Sequence, residues 1–430
     1  MNIALVSSYD LEGGAARAAQ RLFEALRGAG INATLHVLYR SGGDAHVHGA
    51  SSTAARLAAR LRWRADQAPG AALGLQRGEF SLNWLGAGLA RRLHGVAADV
   101  VHLHWVNAGF VSVAEIAALR GPVVWTAHDM WPFTGGCHYD AGCGRFEDAA
   151  CDPCPLQKRG LSFTLPSQRL TAKVRATAAT GLRFVCPSHW MASVASRSPV
   201  ARGRAVQVIP NAIDTTRFKP MDRRAARELF GLPQDSSVLL FGAVNAEADA
   251  RKGYAQLDAA FQLLRSRGLQ QGLHQGSHDG LRSDVLLCVF GGTARGEGLL
   301  HGIPVRHVGH LHDDESLVAL YSAADLFIAP SLQDNLPNTV LEANACGLPS
   351  VAFDVGGMAD LIEHRHTGWL AAAGDAGALA DGIVHGLQQP VWRQAAGTAA
   401  RAAAVARFSY PVVAAAHAAL YRDAMSAVAS

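Results

Sequence analysis

Short apolar runs, separated by stretches long enough for a helix, constrain this chain more than any other feature. In the front half they are IALVSS (3–8), ATLHVLY (33–39), VVHLHWV (100–106), PVVWTAH (122–128), RFVCPS (183–188) and VQVIPN (206–211). The back half gives SVLLFGAV (237–244), VLLCVFG (285–291), PVRHVGH (304–310), LFIAPS (326–331) and SVAFD (350–354). Several are apolar at consecutive positions, the mark of strands covered on both faces, and long connections between such strands call for parallel pairing through helices. The expected fold is α/β and doubly wound, twice over. A chain of 430 residues is too long for one ordinary core. The expected division puts residues 1–205, with 409–430, in a first domain and 206–408 in a second. Residues 269–284, rich in Gly and Gln, read as an insertion between a helix and a strand.

Charge is divided unevenly. Residues 1–220 carry 24 Lys and Arg against 14 Asp and Glu, and residues 221–430 carry 15 against 21, so the front half has the field that suits an anionic partner. The opening MNIALVSSYD reads as a first strand and not as an export signal, and no apolar run has the length of a membrane span. The seven cysteines are therefore expected in a reducing, cytoplasmic setting, as thiols or metal ligands.

The stretch PSLQDNLPNTVLEANACGLPSV (330–351) reads as loop, helix, stop and strand, with Asp334 before the helix and Glu342 inside it. Ligands of open α/β sheets bind at the carboxyl ends of strands, which is where both acids fall. Asn338 and Thr339 stand where the helix should begin, and the free N–H groups of a helix's first turn suit a phosphate. Glu342, about one turn further, can accept hydrogen bonds from a diol such as a ribose. Arg251 and Lys252 precede Gly253 at another loop-to-helix junction, two cations placed to meet a diphosphate. Near the start, Gly13 and Gly14 separate a strand from a basic helix and would let backbone approach a ligand closely; the dinucleotide pattern G-x-G-x-x-G is absent. His102 and His104 read as core or rim residues, whereas His128 closes a strand. The acidic run HDDES (312–316) imitates a metal motif but reads more simply as a helix cap.

Taken together, IPNAIDTTRF, ARKGY, the segment from GHLHDDESLV to GGMADLI and HTGWLAAAGDAGALADGI resemble the retaining glycosyltransferases of family 4. The resemblance implies the two-Rossmann GT-B fold, with its domains facing across a cleft and a C-terminal helix crossing back to the first. It implies a nucleotide-sugar donor, UDP- or GDP-linked, no catalytic metal, no nucleic-acid partner, and a glycan or lipid-linked acceptor. Lys252 matches the family's diphosphate-binding lysine, Glu342 the acid that holds the ribose, and Asp334 the first acid of a Glu-x7-Glu pair, one methylene shorter. His128 resembles the histidine that contacts the donor sugar, and the Gly13–Gly14 loop the one that faces sugar and phosphate. Ala243 replaces an arginine common after the glycine of FGAV, leaving Arg251 to compensate. Catalytic roles are thus expected for His128, Lys252 and Asp334. Weakened catalysis in a donor-binding scaffold, or a nucleotide-sugar epimerase, are the competing readings.

Two segments stand apart. GGCHYDAGCGRFEDAACDPCP holds Cys137, Cys143, Cys151 and Cys154, a set that suits structural zinc with His138 able to replace one ligand. A redox or free-thiol loop and an iron–sulfur site are the alternatives. Similar loops occur in a subgroup resembling colanic-acid and other exopolysaccharide transferases, which implies a role in polysaccharide assembly. AARLAARLRWRADQ (54–67) sets Arg56, Arg60, Arg62 and Arg64 among Leu57, Leu61 and Trp63, a pattern suited to peripheral contact with the anionic inner membrane.

Overall fold

The computed structural model describes every residue except 73, 76–79, 94, 149, 157–163, 243–248, 267–284 and 430, and the expectations for Ala243 and the 269–284 insertion lie outside the described residues. The chain divides into two compact units, Met1–Ala212 with Tyr410–Ser430, and Ile213–Ser409.

The first unit is built on seven strands: β1 (Asn2–Ser7), β2 (Asn32–Tyr39), β3 (Val47–Ala50), β4 (Val100–Leu103), β5 (Val123–Thr126), β6 (Arg183–Cys186) and β7 (Val206–Val208). They stand in the order β3-β2-β1-β4-β5-β6-β7, every neighbour parallel. β4 and β5 are buried along their whole length, as strands covered on both faces must be. Because β7 pairs with β6, the boundary falls after Ala212 and not at 205/206. The terminal helix Tyr410–Ala429 belongs here as well: Val413, Ala414, Leu420 and Tyr421 share one apolar core with Ile3, Leu5, Leu22 and Phe23. Tyr410 donates to Glu24 Oε2 at 2.8 Å and Arg183 pairs with Asp423 at 2.6 Å, tying both ends of that helix.

The second unit has β8 (Ser237–Gly242), β9 (Val285–Phe290), β10 (Arg295–Leu300), β11 (Ile303–Gly309), β12 (Leu326–Ala329), β13 (Ser350–Phe353) and β14 (Gly368–Ala371), in the order β10-β11-β9-β8-β12-β13-β14. Only β10 runs antiparallel, as an edge hairpin with β11 whose turn, His301–Gly302, has positive φ at both residues. Strand order reverses at β8 and β12, which are neighbours although β9, β10 and β11 lie between them in sequence. That makes a crevice at their carboxyl ends, the place where doubly wound sheets take ligands.

One buried ion pair closes the opposite end of this sheet. Asp325, at the amino end of β12, accepts from the Val238 amide at 2.8 Å and from Arg227 at 2.9 Å, with Arg223 at 2.6 Å on its other oxygen. Arg227 is fully buried and spends its remaining donors on the carbonyls of Ala323, Pro233 and Gln234. Removing Arg227 takes from Asp325 its fully buried partner, leaving Arg223 on the other oxygen, and leaves three carbonyls without their donor. Arg227→Ala is expected to lower the unfolding free energy of this unit by about 3–5 kcal/mol, read by urea denaturation.

Candidate active site

Each unit carries its own set of functional groups, and that of the second unit is the better defined. The turn Ala250–Lys252 is stitched to the loop that follows β12. Gly253 has φ +70°, and a Cβ there would lie 1.8 Å from the Pro330 carbonyl oxygen, so only glycine permits the contact. The Leu332 amide donates to the Arg251 carbonyl at 2.7 Å, and Lys252 Nζ donates to Asp334 Oδ2 at 2.7 Å. On the far side, a Cβ on Gly356 would lie 1.8 Å from the Asp334 carbonyl oxygen, and the Gly357 amide donates to that oxygen at 3.2 Å. Asp334 is thereby fixed from both sides with its carboxylate against the ammonium of Lys252.

The helix Asn338–Ala345 starts at Asn338, capped by no side chain, with Asn338 and Thr339 half-buried in its first turn. Glu342, one turn on, is buried, and its Oε2 accepts from the Tyr321 hydroxyl at 2.8 Å. Tyr321 gave no sequence signal beyond its place in an apolar helix, because its role comes from a neighbour far away in the chain. Arg251 pairs with Asp249 at 2.6 Å, and that acid also caps the Arg251 amide. The four expected residues Lys252, Asp334, Asn338 and Glu342 are therefore gathered at the carboxyl ends of β8 and β12. Asp313 caps the helix Asp314–Ala323 by accepting from the Ser316 amide at 2.7 Å, which accounts for the acidic run at 312–316.

In the first unit Gly13 has φ +90° at the start of helix Gly14–Gly28; Gly13 and Gly14 are exposed. Just before this loop an acid outside any motif, buried Asp10, accepts from the amides of Ser41 and Gly42 at 2.6 and 3.0 Å. His128, at the end of β5, meets His104 from the end of β4, with His128 Nε2 2.9 Å from His104 Nδ1. His102 lies between the hydroxyls of Tyr421 (2.6 Å) and Thr126 (2.7 Å). Burial pushes His128 and His417 down to about 4 and His104 and His102 well below their ordinary range, with neighbouring imidazoles adding to the effect on His102 and His104. All four are neutral at pH 7.

Asp129 serves His138 and not the neighbouring His128. Its carboxylate accepts from the Trp131 amide at 2.9 Å and the Trp105 indole at 3.1 Å, and pairs with His138 Nδ1 at 2.6 Å. Burial alone would raise Asp129, but His138 and these donors together hold it below the usual carboxylate value.

His138 Nε2 lies 2.9 Å from Ser81 Oγ, so both of its ring nitrogens have partners within the protein. Among the described residues no three or more His, Cys, Asp or Glu side chains are grouped to hold a metal ion, although Cys143, Cys151 and Cys154 all lie near enough to Cys137 to influence it. Cys137 packs among Leu75, Phe80 and Leu82, while Cys151 lies under Gly135, and burial raises them to about 12 and about 11. Cys143 and Cys154 are half-buried.

What pins the start of this loop is Lys173. Its Nζ donates to the carbonyls of Trp131 and Thr134 and lies 3.5 Å from the centre of the Trp131 ring. Burial lowers it to about 7 from its ordinary 10.5.

Two family models account for most of the chain in tandem. One described as Glycosyltransferase Family 4 matches residues 12–217, and one described as Glycosyl transferases group 1 matches residues 235–389. Each half of the chain thus matches a glycosyltransferase family model. A D-inositol 3-phosphate glycosyltransferase 2 from Catenulispora acidiphila is 30% identical over 311 residues, 68% of this chain and 63% of the relative's length. A D-inositol 3-phosphate glycosyltransferase from Saccharomonospora viridis is 28% identical over 344 residues, 76% of this chain and 71% of the relative. Among solved structures, sucrose-phosphate synthase from Thermosynechococcus elongatus superposes with a TM-score of 0.68 at 20% identity, covering 99% of both chains. Anabaena HepE in complex with UDP and glucose gives 0.63 at 16%, covering 98% of this chain and 99% of that one. These likenesses establish the fold as GT-B.

Lys173 supplies a pH test. The unfolded chain holds a proton on this amine up to 10.5 that the folded chain releases near 7, so stability rises with pH across that interval. Cys137 and Cys151 act in the opposite sense once free thiols ionise, so the window is pH 7–8. The stability difference between wild type and Lys173→Met is expected to grow with pH there, at a slope approaching about 1.4 kcal/mol per pH unit, in urea melts at each pH.

Proposed function

We propose that the protein is a retaining glycosyltransferase that moves a sugar from a nucleotide-sugar donor, UDP-linked in the first instance, to a glycan or lipid-linked acceptor in polysaccharide assembly. The observation that carries this reading is the ammonium of Lys252 held beside Asp334, with a helix starting at Asn338 and Glu342 one turn on.

In this reading the diphosphate takes the ammonium from Asp334 and lies against the amides of the first helical turn, while Glu342, oriented by Tyr321, holds the ribose hydroxyls. The acceptor hydroxyl approaches from the leaving-group side. Its oxygen bonds to the anomeric carbon as the bond from that carbon to the diphosphate oxygen breaks, and its proton passes to a phosphate oxygen. Negative charge grows on the departing diphosphate, so fixed donors that stabilise that charge, Lys252 and the helix start, do most of the work. Asp334, freed from the lysine, faces the transferred sugar.

A second acceptor is favoured by the relatives' name: a phosphorylated polyol of the D-inositol 3-phosphate kind, which the basic first half of the chain would attract. Membrane contact has its own support. Leu57 and Leu61 are 58% and 55% exposed on helix Thr53–Ala72, with Arg60 and Arg64 exposed on the same side. Arg62 instead donates to the Gly86 carbonyl and Arg56 lies over the Tyr39 ring. No helix among the described residues is long and apolar enough to cross a membrane.

Pure protein incubated with UDP-, GDP- and ADP-sugars is expected to release free sugar slowly from one donor and faster with an acceptor. A released epimer would favour the epimerase, and binding with no turnover the scaffold. Lys252→Ala is expected to lower kcat at least ~100-fold, and Glu342→Ala to weaken donor binding by about 10-fold or more. Unchanged kinetics in both would remove the assigned site. Sedimentation with phosphatidylglycerol vesicles is expected to capture the wild type and to fail for Leu57→Gln/Leu61→Gln; equal capture of both would reject this helix as the contact.

A further inference from the structure

Four histidines of the first unit form one cluster drawn from three places: buried His102 and His104 at β4, half-buried His128 after β5, and buried His417 on the terminal helix. The ring centroids of His102 and His104 lie 4.3 Å apart, those of His104 and His128 5.2 Å, and those of His102 and His417 5.6 Å. The hydrogen bonds of the cluster run from 2.6 to 3.0 Å, yet His104 Nε2 and His417 Nε2 are buried with no hydrogen-bond partner. Two orphaned polar atoms in one interior are costly, since each forfeits its hydration.

Both residues line the same small cavity, together with His128, Thr126 and Asn211. Its volume is about 10 Å³, at the lower limit for one water molecule. His417 Nδ1 donates to the Val413 carbonyl at 3.0 Å, because a carbonyl can only accept. A neutral His417 therefore presents a bare Nε2 that needs a donor.

We propose that one internal water bridges His417 Nε2 and His104 Nε2, and that His417, by anchoring this water against His104, is a positioning residue that holds His104 and His128 in one concerted pair of tautomers. The water gives one hydrogen to His417. Towards His104 it either accepts from Nε2–H or donates to a bare Nε2. In the first case His104 Nδ1 is bare and His128 donates to it, leaving the outer nitrogen of His128 an acceptor. In the second, His104 donates to His128, and that outer nitrogen carries the proton. The bridge thus couples the terminal helix to the hydrogen-bonding sense with which His128 meets a sugar. The low proton affinity of all four rings agrees with a relay of neutral imidazoles. The part of this inference that concerns catalysis rests on the reading in which His128 contacts the donor sugar; the water relay itself does not.

The test uses the full chain with histidine-selective ¹⁵N labelling, free of ligand, at pH 7.5. Long-range ¹H–¹⁵N correlation is expected to show a single tautomer at each of His417, His104 and His128. In His417→Leu the nitrogens of His104 and His128 are expected to move towards values of mixed tautomers, and in His417→Gln, which keeps a polar atom facing the cavity, to stay near wild type. With donor and acceptor, the Leu variant is expected to lose roughly 10-fold in kcat at unchanged donor KM, and the Gln variant to recover most of it. Unshifted His104 and His128 nitrogens in a His417→Leu protein with wild-type circular dichroism would overturn the relay. Shifted nitrogens with unchanged kcat would overturn the positioning role. The NMR arm needs no donor, so it decides the relay even if the wild type turns over no sugar, a result that would count against the proposed function instead.

Discussion

The geometry of the second unit turns on the absence of one side chain. With no Cβ at Gly253, the turn that carries Arg251 and Lys252 lies directly on the Pro330 carbonyl, and the loops after β8 and β12 become one surface. The contact sets Lys252 2.7 Å from Asp334 and leaves the start of helix Asn338–Ala345 beside them. Gly356 repeats the device against the Asp334 backbone. Backbone touching backbone is stiffer than side-chain packing, so the cation and the helix start are held in place before any ligand arrives. That is the condition under which fixed charges stabilise a growing anion without reorganisation.

How far the sequence foretells this follows from which residues report on themselves. Strands buried on both faces announce themselves as continuous apolar runs, and each run named from the sequence contains a strand. β3, β10 and β14 went unread, and each ends its sheet. An edge strand is covered less completely and loses its apolar signature, as the exposed RGEGLL of β10 illustrates. The domain boundary erred for a related reason: β7 is short and half-exposed, and only its pairing with β6 assigns it.

The candidate site divides in the same way. Charged and helix-starting residues, namely Lys252, Asp334, Asn338 and Glu342, are legible because their chemistry is local to a motif. Tyr321, Asp10 and Lys173 act on partners 21, 31 and 39 or more positions away, so no spacing rule finds them. The cysteine loop shows the converse. Four thiols in a short segment suggest a metal by composition, while the contacts that fix the start of the loop, Lys173 on two carbonyls and the Asp129–His138 pair, leave no such signal.

The account's central claim is that a diphosphate is gripped by Lys252 and the helix start at Asn338, with the ribose on Glu342. A crystal structure of the protein soaked with UDP tests it most directly. The account predicts phosphate oxygens within hydrogen-bond distance of Lys252 Nζ and the first-turn amides, with the ribose hydroxyls on the Glu342 carboxylate. UDP bound with its diphosphate away from Lys252, and the Lys252–Asp334 pair intact, would contradict it.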